Sequence, residues 1–241
     1  MKTNNIIRTI GAALVMLAFI STSALAQKTV DASEIMQALK AGKDVSYQDV
    51  TITGVLDFTF MDEKLDDLPT RRRWWRNGGD NEVDELIKSK VSFVNCTFED
   101  DVLAYFHDKR SEYTFTADFE DDVKFENCTF NRNAMFKYSE FERASIFTGS
   151  SFNRESTFKY AEFEEMAQFE KTFFDEDAMF KYTKFRDGAN FNDAKFDRSV
   201  DMKYTEVRGD FMIERMDVRW DIDTKYAEVN GRSMTRYLID N

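Results

Sequence analysis

Phe136-Lys137-Tyr138-Ser139-Glu140-Phe141 returns as Phe158-Lys159-Tyr160-Ala161-Glu162-Phe163, and again over 180–185, 202–207 and 224–229, each time 22 residues further on. Between these phrases lie others that end on phenylalanine but lack Lys-Tyr, such as Phe147 to Phe152 and Phe169 to Phe174. From Phe119 to Phe196 the phenylalanines step alternately six and five residues, and Met202, Val207, Ile213 and Val218 carry the count onward. Two residues before each of these positions from Phe119 to Val207 stands a small side chain, from Ala117, Val123 and Cys128 through Ser145, Ala167 and Ala178 to Thr205.

This spacing decides the backbone. On an α-helix, residues two apart point to nearly opposite sides. On an extended strand they share a face. The small residue and the phenylalanine therefore point inward together from one short strand, and the chain then turns a corner. A repeat of 22 made of four such sides is one coil of a solenoid, each coil rising about 4.8 Å above the last. The predicted core includes Phe125, Phe136, Phe147, Phe158, Phe169, Phe180 and Phe191. Each contributes about 1.5–3 kcal/mol when fully buried, and stacking of coils makes that burial continuous. A single proline in the whole chain agrees with sides that must all donate ladder hydrogen bonds.

The small-x-Phe pairs over roughly 44–229 make the chain resemble the pentapeptide-repeat family. The resemblance implies an all-β fold, a right-handed quadrilateral β-solenoid (a pentapeptide-repeat β-helix), here with a short N-terminal capping helix. The chain departs from the usual four sides of five by an extra residue on every second side. It also carries Glu140, Ile146, Ser151 and Met179 where Asn or Asp commonly precedes the central residue.

The ends read differently. Lys2 and Arg8, the apolar run Ile10–Ile20 and Ala24-Leu25-Ala26 form the pattern of a secretory signal cleaved after Ala26. Residues 27–43 read as a capping helix that Asp31 or Ser33 starts and Gly42 ends. The solenoid is expected over 44–229, interrupted near 60–89 and 105–113, with a C-terminal cap over 230–241. No later stretch is long and apolar enough to span a membrane. Cys96 and Cys128 sit in matching phrases and read either as a disulfide of an exported chain or as small core residues.

A formal net charge of −12 repels nucleic acid and anionic lipid. His107 is the single histidine, and no nucleophile–base set, phosphate loop or metal-ligand spacing accompanies it. Hence neither catalysis nor a cofactor is expected. Two features are candidate binding sites. Arg71-Arg72-Arg73-Trp74-Trp75-Arg76 joins guanidinium groups to indoles and could grip an anionic glycan, headgroup or partner loop; alternatively it packs its insertion onto the solenoid. Tyr138, Tyr160, Tyr182, Tyr204 and Tyr226 should form an outward strip flanked by Lys137, Lys159, Lys181, Lys203 and Lys225. That strip either holds sugar rings or a partner surface, or simply stabilises neighbouring strands. Glu140, Glu162, Glu206 and Glu228 are expected to balance the lysines.

The leading expectation is an exported, periplasmic or secreted, non-enzymatic scaffold for protein–protein interaction or a structural role in the cell envelope. Its partner is an unidentified protein or an envelope glycan, with homo-oligomers through the solenoid ends a further option. The alternative is a glycan- or envelope-binding module using the Arg-Trp segment or the tyrosine strip. Some acidic members of the family mimic DNA and bind topoisomerases, but an exported chain is separated from that target.

Overall fold

The computed structural model describes residues 28–68 and 81–240. The chain winds into a four-sided β-solenoid of seven coils, and its four sheets contain seven, eight, seven and nine strands. The first coil shows the order of the faces: Val45–Gln48 on the first, Val50–Thr53 on the second, Leu56–Asp57 on the third and Glu82–Ile87 on the fourth. Every strand of these seven coils pairs in parallel with its counterpart one coil away. From the third coil onward the partners are 22 residues apart, as in Phe141↔Phe163 and Phe152↔Phe174.

The alternation of five and six has a local cause. From Phe136 onward each five-residue step is closed by a β-turn in which the carbonyl of its first inward residue accepts from the N–H three residues on, as in Ala161 N to Phe158 O at 2.9 Å and Ala194 N to Phe191 O at 3.0 Å. The third residue of each turn has positive φ, the backbone that such a turn demands. At the corner between the first and second faces it is Asn127, Gly149, Lys171, Asp193 and Arg215 in successive coils. At the corner between the third and fourth it is Tyr138, Tyr160, Tyr182, Tyr204 and Tyr226.

The seven predicted core phenylalanines are all fully buried. Rings on one face stack in parallel: Phe130, Phe152, Phe174 and Phe196 lie 4.6–4.8 Å apart with planes within 4°. Rings on different faces meet edge to face, as Phe169 and Phe180 do at 5.3 Å and 88°. Both arrangements suit the aromatic quadrupole. Cys96 and Cys128 are free thiols, stacked one coil apart in the small-residue column and buried. Each thiol donates to backbone carbonyls, Cys96 to Val94 O at 3.3 Å and Cys128 to Phe93 O at 3.5 Å, and the neighbouring Cys96, then burial, push the Cys128 thiol up.

The two interruptions lengthen the first two coils. Val45 pairs with Val91 and Val91 with Val123, so these coils run 46 and 32 residues instead of 22. The first is shorter than its sequence suggests. Glu82–Ile87 belongs to the solenoid as the fourth side of the first coil, pairing along its whole length with Thr114–Phe119. It carries Glu82, Asp84 and Glu85 in place of a small-x-Phe pair, which hides it from the count. The second interruption is a hairpin in which Tyr105–Asp108 folds back antiparallel on Tyr113–Phe119.

At the N-terminal end of the described residues, Lys28–Asp31 adds a parallel strand below Val50–Thr53, ahead of the capping helix. Helix α1 then spans Ala32–Lys40, and the side chain of Asp31 accepts from Ser33 N at its start. Ala32, Ile35 and Leu39 are its buried face, which closes the solenoid mouth. A five-residue helix, α2, spans Met61–Leu65. At the far end Asn230 and Gly231, both at positive φ, turn the chain back. Arg232–Ser233 pairs antiparallel with Glu228–Val229, and α3, Met234–Asp240, follows.

Candidate functional site

Both interruptions leave the solenoid at the same corner. In the first coil the chain departs after the third-face strand Leu56–Asp57 and rejoins the fourth face at Glu82. In the second it departs after Val102–Leu103 and rejoins at Tyr113–Phe119. In coils three to seven this third–fourth corner holds the tyrosines. Both interruptions therefore leave and rejoin the rod along the edge that carries the tyrosines, and loops on a rigid scaffold are where binding residues concentrate.

The tyrosines form a continuous stack with centroids 4.6–5.0 Å apart. Each rung is fixed by two things: the turn that puts its backbone at positive φ and the parallel register of the flanking strands. The ring of Tyr105, from the hairpin, meets the end of the stack at 5.8 Å from Tyr138, tilted by 52°. Its hydroxyl accepts a hydrogen bond from Lys137 Nζ at 3.1 Å. Tyr105 escaped the sequence reading because it opens the register break and stands where later coils place lysine. The internal ring faces are turned toward one another, so solvent meets edges and hydroxyls; Tyr138, Tyr160 and Tyr204 are about 40% exposed and the terminal Tyr226 63%. A sugar ring that stacks on an aromatic face finds no free face at the internal rungs.

The ladder lysines lean over these rings: Nζ lies 4.5 Å from the Tyr138 centroid for Lys137, 5.0 Å from Tyr160 for Lys159 and 5.3 Å from Tyr182 for Lys181. The expected balance by Glu140, Glu162, Glu206 and Glu228 is not what the side chains adopt. Glu162 binds Lys184 and Arg186, Glu206 binds Arg208, and Lys203 is held instead by Asp201 and Asp223 at 3.2 and 3.0 Å. The reason is direction. The lysines project over the third face, whereas the glutamates line the fourth, around the corner. Among the described residues Lys137, Lys159 and Lys181 have no carboxylate within salt-bridge distance. Partial burial and the neighbouring Lys137 and Lys181 charges push the Lys159 ammonium below its ordinary value.

On the fourth-face side of the edge the sign reverses. Burial, then the charges of Asp84 and Glu142, raise Asp118; burial, then Asp118 and its glutamate neighbours, raise Glu140. Glu162 is also penalised by burial, but Lys184 and Arg186 hold it below the usual carboxylate range.

Arg71, Arg72, Arg73, Trp74, Trp75 and Arg76 lie outside the described residues. The flanking residues are placed: Leu68 helps line a cleft of about 570 Å³ between α1, α2 and Val83–Ser89. His107 contacts Thr114 Oγ1 at 3.1 Å within the hairpin. Among the described residues no three or more His, Cys, Asp or Glu converge as metal ligands, and no helix is long and apolar enough to cross a membrane.

A parallel four-sided rod with its interior filled by side chains belongs to the repeat solenoids, whose outer faces rather than an internal cavity meet other molecules. The family model described as pentapeptide repeats, in nine copies, matches residues 136–184 and 158–206. The chain belongs to the pentapeptide-repeat family, typically structural and protein-interaction scaffolds. Comparison with curated proteins and with solved structures returned no match.

Proposed function

We propose that the chain is an exported, non-enzymatic scaffold that meets a protein partner along its third–fourth edge. One observation carries this reading: two insertions and a five-rung tyrosine ladder share a single corner of an otherwise regular rod. Magnitudes support it. Holding a non-glycine residue in the left-handed region costs about 1–2 kcal/mol, and a stacked aromatic pair returns about 0.5–1.5 kcal/mol. Five strained tyrosines in four stacked pairs therefore contribute little net stability. At the first–second corner the same turn is built in three of five coils from Asn127, Gly149 and Asp193, residues that tolerate this backbone, and in the other two from Lys171 and Arg215. The tyrosines serve the surface rather than the fold. Export is supported by the charged, apolar and Ala-Leu-Ala segments that precede Gln27.

The test expresses the full chain in a bacterium, fractionates the cells and determines the N-terminal residue. Gln27 in the envelope fraction is expected; an uncleaved cytoplasmic chain refutes export. A photo-crosslinking residue replacing Tyr160 should yield discrete adducts that the same residue replacing Lys195, on the second face, does not. Identical adducts from both positions refute the edge.

A further inference from the structure

The outward column of the third face is divided. Register places Leu103, Met135, Thr157 and Met179 in line over coils two to five, and Asp201 and Asp223 in line above them. Met135 and Met179 are half-buried, whereas Leu103 and Thr157 are buried. The upper coils neutralise themselves, since Asp201 and Asp223 both hold Lys203. The lower coils do not: beside the apolar column run Lys137, Lys159 and Lys181, and beside those the hydroxyl edges of Tyr138, Tyr160 and Tyr182. A strip of unneutralised cations next to an apolar strip, on a chain of net charge −12, is the complement of a partner that is acidic and apolar in parallel stripes.

Resting on the scaffold reading above, we infer that the third face over coils two to five docks an amphipathic helix of a partner protein, whose acidic stripe lies on Lys137, Lys159 and Lys181 and whose apolar stripe lies on Met135 and Met179. The repeat lengths match. Three lysines span two coil steps, about 9.6 Å, and two helical turns advance about 10.8 Å; the difference of about 1 Å is within the swing of a lysine side chain. A helix alone sets acidic and apolar residues in adjacent stripes at this spacing. Methionine suits such a groove because its thioether adapts to the incoming shape. An added strand is ruled out in these coils, because their third-face strands are already paired on both sides and strand addition needs a free edge. A polyphosphate or sulfated chain would satisfy the lysines but leave the methionines unused.

The experiment uses the full chain and a synthetic helical peptide with Glu at i, i+4, i+7 and i+11 and Leu along the adjacent stripe. A peptide of the same composition with the stripes scrambled, and inorganic polyphosphate, serve as comparisons, with binding read by fluorescence anisotropy. The striped peptide should bind. Lys159→Glu with Lys181→Glu should weaken it by about tenfold or more, and the uncharged Met135→Ser should weaken it without changing the salt dependence. Lys195→Glu, on the second face, should leave it unchanged. Circular dichroism melting of each variant verifies that the solenoid is intact. Equal binding of the scrambled peptide, tighter lysine-dependent binding of polyphosphate, or indifference to the double reversal each overturns the helix groove. The scaffold reading fails separately: if edge-specific adducts form in cells and survive the double reversal, the edge stands and this groove falls.

Discussion

At the scale of single residues the solenoid is decided by the inward pair on each side, and the small member of that pair is not always optimal. Ser139, Ser145 and Ser156 bury hydroxyls with no hydrogen-bond partner among the described residues. Elsewhere in the column the hydroxyl is satisfied: Ser150 Oγ donates to Phe125 O, and Thr183 Oγ1 to Phe158 O, both at 2.7 Å. Ser156 is flanked in register by Ala134 and Ala178, so alanine fits its site without a cavity. Ser156→Ala is therefore expected to stabilise by about 1 kcal/mol, the desolvation penalty of an unmade hydrogen bond, measured by urea unfolding. Ser150→Ala should do the reverse. The tyrosine ladder offers a second comparison. Tyr182→Asn and Tyr226→Asn relieve the same backbone strain, but Tyr182 loses two stacked neighbours and Tyr226 one. The internal substitution should be the more destabilising by about 0.5–1.5 kcal/mol. Equal effects would mean that the rings do not stabilise one another.

At the scale of elements, what the sequence hides is as informative as what it shows. The spacing of Phe119 to Phe196 was legible because every side in coils three to six repeats one inward pattern. Lys28–Asp31 and Glu82–Ile87 were not, since neither carries a phenylalanine and both acquire their role only from the strand above. The tyrosine strip was legible in position but not in backbone conformation, because composition gives no reason to expect tyrosine at positive φ. Nor does spacing reveal which way a lysine leans at a corner, so its carboxylate partners were misassigned. The fourth face yields a prediction of its own. Asp118 accepts from Glu140 N at 2.8 Å while its carboxyl is raised by burial, then by Asp84 and Glu142. A carboxyl raised on folding binds its proton more tightly in the native state, so stability falls as pH rises from the ordinary value of about 3.9 through the raised one. Asp118→Asn keeps the accepting oxygen and removes the charge. The variant should melt higher than wild type at pH 7, and the difference should shrink as pH falls toward 4, as followed by circular dichroism. A lower melting temperature at pH 7 would show that the charge helps the fourth face rather than straining it.

At the scale of the whole molecule, a solenoid is a one-dimensional stack whose stability is passed between neighbours, and its two ends are finished differently. The N-terminal mouth lies under α1 with Ile35 and Leu39 buried. At the C-terminal end Phe211–Met212, Asp217–Val218 and Ile222–Asp223 are the terminal strands of three sheets. The phenylalanine columns also run out there: Ile213, Val218 and Ile222 are only partly buried, and with Phe211, Tyr237 and Leu238 they line an open cleft of about 750 Å³. Helix α3 ties this end down at two points: Tyr237 Oη donates to Phe211 O at 2.7 Å, and Thr224 meets Thr235, also at 2.7 Å. Opening free energy should therefore decline toward the last coil instead of being uniform. Amide hydrogen exchange is expected to be slowest over coils three to six, where every strand has two partners and fully buried apolar residues, mostly phenylalanines, fill the columns, and fastest among the strands over 211–223. Tyr237→Phe removes one tether while leaving the ring that packs on Phe211 at 5.6 Å. Exchange over 211–223 should then quicken by about fivefold or more, the equivalent of one lost hydrogen bond of about 1 kcal/mol, while coils three to six hold their rates. Uniform acceleration along the rod would mean that the solenoid opens as one cooperative unit and that α3 guards the whole stack, not its last turn.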